Sequence, residues 1–201
     1  MRVRPIGVDA LLLECRDGDE VEAWRAELWR RRAQGEFDAI DIVPGAETVL
    51  VDGVATDLAR RLENWSPEAA SAAAEAPRID VATTFDGEDL QDVATLWGVP
   101  VPEAVTRLVE TELTVAFCGF APGFAYLRGL PPEWAVPRLD APRPRVPAGS
   151  VALAGGYAGI YPTASPGGWQ LVGRTTETLF DIRREPPALL TPGTRVRLVT
   201  A

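Results

Sequence analysis

The 201-residue chain has no histidine, and all 20 of its basic residues are arginine, so lysine is missing as well. Within this chain these absences exclude a Ser-His-Asp triad, a Cys-His pair, a histidine-ligated metal, a lysine Schiff base and the lysine of a Walker phosphate loop. Chemistry done by the chain alone must rest on carboxylates, Arg, Tyr, hydroxyls, Cys118 or backbone amides. A GC-rich coding bias accounts for the missing lysine without any functional reason, and the catalytic consequence is the same.

Only two cysteines are present, Cys15 and Cys118. They lie far apart in apolar, strand-like runs, which predicts buried inert thiols and neither a disulfide framework nor a zinc site. No apolar run reaches the roughly 18 residues of a membrane helix, and the N-terminal stretch lacks the apolar core and cleavage site of a signal peptide. The expectation is a cytoplasmic protein. The net charge of −9 disfavours nucleic acid and anionic membrane as partners, because both reward a positive field. The run Arg30, Arg31, Arg32 reads as the solvated face of a helix.

What remains is a composition of 46% hydrophobic and 24% charged residues, ordinary for a globular protein. Its first part alternates strand and helix patterns. Val3 to Val8 and Ala10 to Cys15 read as strands. Asp19 to Gln34 reads as a helix, with Val21, Trp24, Leu28 and Trp29 at helical spacing, Asp17 or Asp19 to cap it and Gly35 to end it. Ala39 to Val43 and Thr48 to Val51 suggest a hairpin, and Val54 to Trp65 an amphipathic helix. The Ala- and Pro-rich stretch Ser66 to Pro77 reads as a linker with at most a helical turn.

Beyond it, RIDVATTF is a strand, and Gly87 to Trp97 and Pro102 to Glu110 are helices. From Leu113 onward LTVAFC, SVALAG, GIYP, WQLVG, LFDI and RVRLVT are short apolar runs punctuated by Gly and Pro, the pattern of a β-rich barrel or sandwich. The fold class is α+β, with domains at 1–77 and 78–201.

Between Gly119 and Thr175 the glycines and prolines cluster around Phe120, Phe124, Tyr126, Tyr161 and Trp169, with Arg138, Arg143, Arg145 and Arg174. Barrel corners need many of those turn residues. Aromatic walls beside arginine forks suit a small anionic or amide ligand. The candidate substrate-binding residues are Arg174, Arg143, Trp169, Tyr161, Phe120 and Phe124. Each has a plainer alternative: Arg174 tying loop carbonyls together, Arg143 in a surface ion pair, and the rings packing in a core. Asp86, Glu88 and Asp89 read as a helix-start cluster, and Ser150 and Ser165 as turn residues. No catalytic residue is assigned.

GFAPGFAYL, PRPRVPAGSVALAGG, GIYP and SPGGWQLVGRT together resemble the family that comprises the B subunit of bacterial 5-oxoprolinase, allophanate hydrolase subunit 1 and the sporulation-kinase inhibitor of bacilli. The resemblance is strongest from Leu113 to Asp181. It implies a small N-terminal α/β domain followed by a cyclophilin-like β-barrel domain. It also implies a sister C-type carboxyltransferase subunit, an A subunit in the oxoprolinase, and ATP used at the level of the complex, with no metal ligated by this chain. The bacillar relative implies an alternative function, a regulatory module that inhibits a sensor histidine kinase. Leu108 stands where relatives carry a histidine ahead of the strand that leads into GFAPGF, and Ala158 where they often carry Thr.

Overall fold

A computed structural model describes residues 1–55, 57–67 and 76–201. These fall into two compact units, Met1–Ala76 and Pro77–Ala201. Most of the stretch read as a linker, 68–75, lies outside the described residues.

In the first unit β1 (Arg2–Ile6), β2 (Ala10–Glu14), β3 (Asp41–Pro44) and β4 (Thr48–Asp52) form an antiparallel sheet in the order β1-β2-β4-β3. Leu11, Leu13, Val49 and Val51 alternate onto one face and meet Val21, Trp24 and Leu28 of α1 (Gly18–Ala33). The Asp17 carboxylate accepts from the Glu20 amide at 2.8 Å and so starts this helix, while Gly35, at φ +72°, ends it. The helix expected over Val54 to Trp65 is only α2, Leu58–Leu62. Val54 instead donates its amide to the Asp9 carbonyl at 2.8 Å, and the Trp65 ring packs on Phe37 under the Arg31 guanidinium.

The second unit has seven strands in its main sheet: β5 (Arg78–Thr83), β6 (Leu113–Cys118), β7 (Ala125–Arg128), β9 (Ser150–Ala154), β10 (Tyr157–Ile160), β12 (Gln170–Arg174) and β13 (Arg195–Thr200). Their order is β12-β9-β10-β7-β6-β13-β5. Thr84 and Arg174 exchange backbone bonds of 2.8 and 2.9 Å, which bring the two edge strands together into a nearly closed barrel. A two-stranded ribbon, β8 (Arg143–Val146) with β11 (Ser165–Gly167), stands apart from this sheet. Two helices, α3 (Leu90–Leu96) and α4 (Val101–Glu110), follow β5 in sequence. The α+β class expected, with a barrel in the latter part, is what the structure has. The run LFDI is not a strand; it contributes one bridge, Phe180 to Ala188.

The inward face of the barrel is aliphatic, with Val81, Leu113, Val115, Leu153, Val172 and Leu198 fully buried. Leu108 of α4 is fully buried in this same core. A second cluster, with Phe124, Ala152, Ala154, Tyr161, Trp169 and Leu171, lies on the other face of β7, β9, β10 and β12. Strand β9 is therefore buried along both faces, which explains why SVALA reads as a continuous apolar run without alternation.

Candidate functional site

The stretch Ala116 to Leu127 is a hairpin that supplies the aromatic face. Its register slips between Val115–Leu127 and Phe117–Tyr126, leaving Ala116 as an extra residue. Such a bulge reverses which side chains point outward. Phe117 thereby joins Tyr126, with the rings stacked at 4.3 Å, while Cys118 turns to the aliphatic core. The tip is made of two turns. Ala121 donates to the Gly119 carbonyl at 2.7 Å around Phe120, whose φ is +67°. This is a γ-turn in the left-handed region, strained for a bulky residue. Phe124 then donates to Ala121 across Pro122 and Gly123, the latter at φ +82°, the arrangement of a type II turn. Gly123 is required twice over, because a Cβ there would lie 2.7 Å from the Cβ of Phe180.

Around this hairpin the rings form a continuous edge-to-face cluster. Phe124 meets Phe120 at 5.3 Å, Tyr161 at 5.2 Å and Trp169 at 5.5 Å, and Trp169 meets Tyr126 at 5.5 Å. Phe120 is 62% exposed at the rim, whereas Phe124 and Tyr161 are buried. Burial pushes the Tyr161 phenol above its usual pKa, opposed by the Trp169 backbone amide and by the charges of Arg138 and Arg143. Gly159 is small because the Phe124 and Trp169 rings press on its strand, leaving only 3.0 Å to a Cβ.

Beside the cluster is a recess of about 380 Å³ lined by Tyr126, Val136, Pro137, Arg138, Ala154, Gly155 and Trp169. That volume is within the range of about 300–1,000 Å³ usual for small-molecule sites. The structure brings Trp169 to this recess, with Phe124, Tyr161 and Phe120 continuing the aromatic surface behind it. Arg143 and Arg174 are not among its lining residues. Arg174 pairs with Asp86 at 2.8 Å on the surface. Arg143 holds Asp89 at 2.7 Å and Glu88 at 3.4 Å, and the hydrogen bond it donates to Asp89 raises the Arg143 pKa above its ordinary value.

Asp89 does not cap α3 with its side chain. Its amide donates to the Leu171 carbonyl at 2.9 Å, and its Oδ2 accepts from the Leu171 amide at 2.6 Å. One acidic residue thus continues the seam beyond the Thr84–Arg174 bridge. Gly87 allows the loop to reach β12, since a Cβ there would meet the Leu171 carbonyl oxygen at 2.3 Å. Sequence reasoning named the rings and the arginines but missed both the latch at Asp89 and the position of Arg138. The partner of Arg143 is 54 positions away, a separation that leaves no local pattern.

The first unit has a larger recess, about 820 Å³, lined by Trp24 and Trp65 together with Asp17, Asp19, Glu20 and Glu63. Arg16 and the Met1 ammonium also line it but both pair with Glu20, so the remaining carboxylates disfavour an anion. Among the described residues no group of three or more His, Cys, Asp or Glu side chains could hold a metal ion, and no helix is long and apolar enough to cross a membrane.

Residues 1–190 match the family model described as carboxyltransferase domain, subdomain C and D. The chain is 36% identical over 204 residues to the B subunit of 5-oxoprolinase from Escherichia coli O157:H7, covering 96% of this chain and 93% of that protein. It is 35% identical to the B subunit of 5-oxoprolinase from Haemophilus influenzae, covering 99% and 97%. Among solved structures, TTHA0988 is 34% identical with a TM-score of 0.77; the match covers all of this chain and 40% of that longer one. Kluyveromyces lactis urea amidolyase, 19% identical over 99% of this chain and 15% of its own, shares the fold with a TM-score of 0.71. On the length of these matches, the chain belongs to the family of the carboxyltransferase domain, subdomains C and D.

Proposed function

We propose that the chain is a B-type component of a heteromeric, ATP-dependent 5-oxoprolinase, which opens 5-oxoproline to L-glutamate, or of a related amidolyase/carboxyltransferase complex. Its identity of 35–36% with the B subunits of two 5-oxoprolinases, across almost the whole of each, carries this reading. The partners are a sister C-type subunit and an A subunit, and the setting is the cytoplasm. Residues 1–77 serve as an N-terminal α/β domain and 78–201 as the barrel domain that holds the substrate recess.

The recess supports a shared site. It offers a cation, two rings and the Tyr126 phenol, but the chain lacks His and Lys, and among the described residues no carboxylate lines it. The carboxylate or imidazole that the recess lacks then comes from the sister subunit. Neither of the two longer helices of the described residues opens on a site that suits the phosphates of ATP. Helix α1 opens with Asp17, Asp19 and Glu20, which repel phosphate, and α4 opens through Pro100 and Pro102, which lack amide donors. On this reading the nucleotide is held by another subunit of the complex.

The test is to purify this chain alone and with its partner subunits and to assay ATP-dependent release of glutamate from 5-oxoproline. The complete set turns over and the lone chain does not. Turnover by the lone chain, or none by the complete set, contradicts the reading. A second reading, inhibition of a sensor histidine kinase, draws on the exposed apolar side chains Phe120, Phe180 and Ile182. Binding to a kinase dimerisation domain that is lost in Phe120→Ser would favour it.

A further inference from the structure

We propose that Arg138 is the anion-binding residue of the recess, taking the carboxylate of a small, singly charged organic acid whose flat or apolar body lies against Trp169 and Tyr126. The assignment deepens the reading above, on which it rests for the identity of the natural ligand. Its own support is geometric.

Four arginines accompany the aromatic cluster, and three of them do not offer a free charge there. Arg143 is engaged with Asp89 and Glu88, and Arg174 with Asp86. Arg145 is exposed on β8 and lines no described recess. Arg138 alone lines the recess, and it has no ion pair or hydrogen bond among the described residues. In a chain of net charge −9, an arginine left without a carboxylate beside an aromatic recess is positioned for an incoming one. A guanidinium also presents paired donors that match a carboxylate and that stay charged at any working pH.

The backbone on either side of Arg138 is fixed while its side chain is not. Val136 and Gly155 exchange backbone bonds of 3.2 and 2.7 Å. The Gln170 side-chain amide donates to the Pro137 carbonyl at 3.2 Å, and the Leu139 amide donates to the Gly168 carbonyl at 2.8 Å. Three anchors within four residues hold the Arg138 Cα against the barrel, so binding need order only one side chain and the ligand. The walls are chemically asymmetric. Val136, Pro137, Ala154 and the faces of the two rings are apolar, the polar edges are the Tyr126 phenol and the Trp169 indole N–H, and the single charge is at Arg138. That composition suits one negative charge on a compact body and disfavours a phosphate, which would ask for more donors.

The experiment uses the full chain and follows the Trp169 indole N–H by NMR during titration with cyclopentanecarboxylate and with its neutral analogue cyclopentanecarboxamide. For eight non-hydrogen atoms, a Kd on the order of 1 mM is expected for the carboxylate. Binding weakens by roughly tenfold or more in Arg138→Ala, is partly retained in Arg138→Lys and stays within roughly twofold of the parent in Arg174→Ala; the amide binds the parent roughly tenfold less tightly. Arg138 is exposed and unbonded, so an unchanged melting temperature checks that Arg138→Ala is folded. Equal binding of acid and amide, equal weakening in Arg138→Ala and Arg174→Ala, or no shift at Trp169 at about 20 mM carboxylate overturns the assignment. If carboxylate binding behaves as expected while the complete complex releases no glutamate, the oxoprolinase reading fails and the Arg138 assignment stands.

Discussion

Asp89→Ala separates two kinds of ion pair that lie three residues apart in one loop. Asp89 is 5% exposed and supplies two charge-assisted bonds, to the Leu171 amide at 2.6 Å and to Arg143 at 2.7 Å. Such bonds contribute about 1.5–3 kcal/mol each; Arg143, 21% exposed, keeps Glu88 at 3.4 Å, so the main loss is the Leu171 amide left buried without its acceptor. We expect Asp89→Ala to destabilise the second unit by roughly 2–5 kcal/mol on that basis. Arg174 and Asp86 make a bond nearly as short, 2.8 Å, but their side chains are 68% and 46% exposed. Such a surface pair is worth about 0–1 kcal/mol, so Arg174→Ala should barely register. The assay is guanidinium denaturation of each variant, with hydrogen exchange at the Leu171 amide as a local reporter. Protection at Leu171 should fall in Asp89→Ala and persist in Arg174→Ala. A loss below about 1 kcal/mol, or equal effects of the two variants, would refute the claim that a buried carboxylate extends the barrel seam.

Three further outcomes follow from the same structure. Gly87→Ala sets a Cβ against backbone atoms of Leu171 and Val172 at 2.3–2.4 Å; it should cost at least about 1–3 kcal/mol and lower the denaturation midpoint, because no side chain can move aside. Leu108→His puts an imidazole into a fully buried aliphatic site and should cost about 3 kcal/mol or more in the same assay, without raising glutamate release by the assembled complex. Burial pushes the Cys15 and Cys118 thiols from 9.0 up to about 11, so about one in ten thousand is ionised at pH 7. Alkylation of the folded chain should be slow and should rise about tenfold per pH unit towards pH 10. Both folded pKa values exceed the unfolded ones, so the unfolded chain loses its thiol protons first, and this contribution to stability should decline from about pH 9 upward.

The strands LTVAFC and RVRLVT were legible in the sequence as short apolar runs of strand-forming residues, and they coincide with β6 and β13. Helix α1 was legible from its spacing and from Asp17 and Gly35. The run LFDI has a strand's composition but finds only a single bridging neighbour, and composition carries no information about neighbours. β7 was hidden because the GFAPGF turn ends directly against it. For the site, residue types pointed to rings beside arginines. Which arginine is free depends on acidic partners far away in the chain: Arg143 is taken by Asp89, and Arg174 by Asp86. Leu108 drew notice by resemblance, and its burial in the aliphatic core was not legible because a helix near a barrel can present either face.

In the second unit the first strand and the last are parallel neighbours, with Arg78 opposite Arg195 and Thr83 opposite Thr200. Asp80 binds Arg197 across 117 positions. A ribosome adding about 5–20 residues per second needs roughly 6–23 s between those two residues. Through that interval the nascent β5 has no permanent neighbour on the β13 side, and Val81 has no completed core to enter. The order of synthesis therefore makes the last strand the step that commits the barrel, and any chain halted before it would present a sticky, half-built sheet to the cell's chaperones.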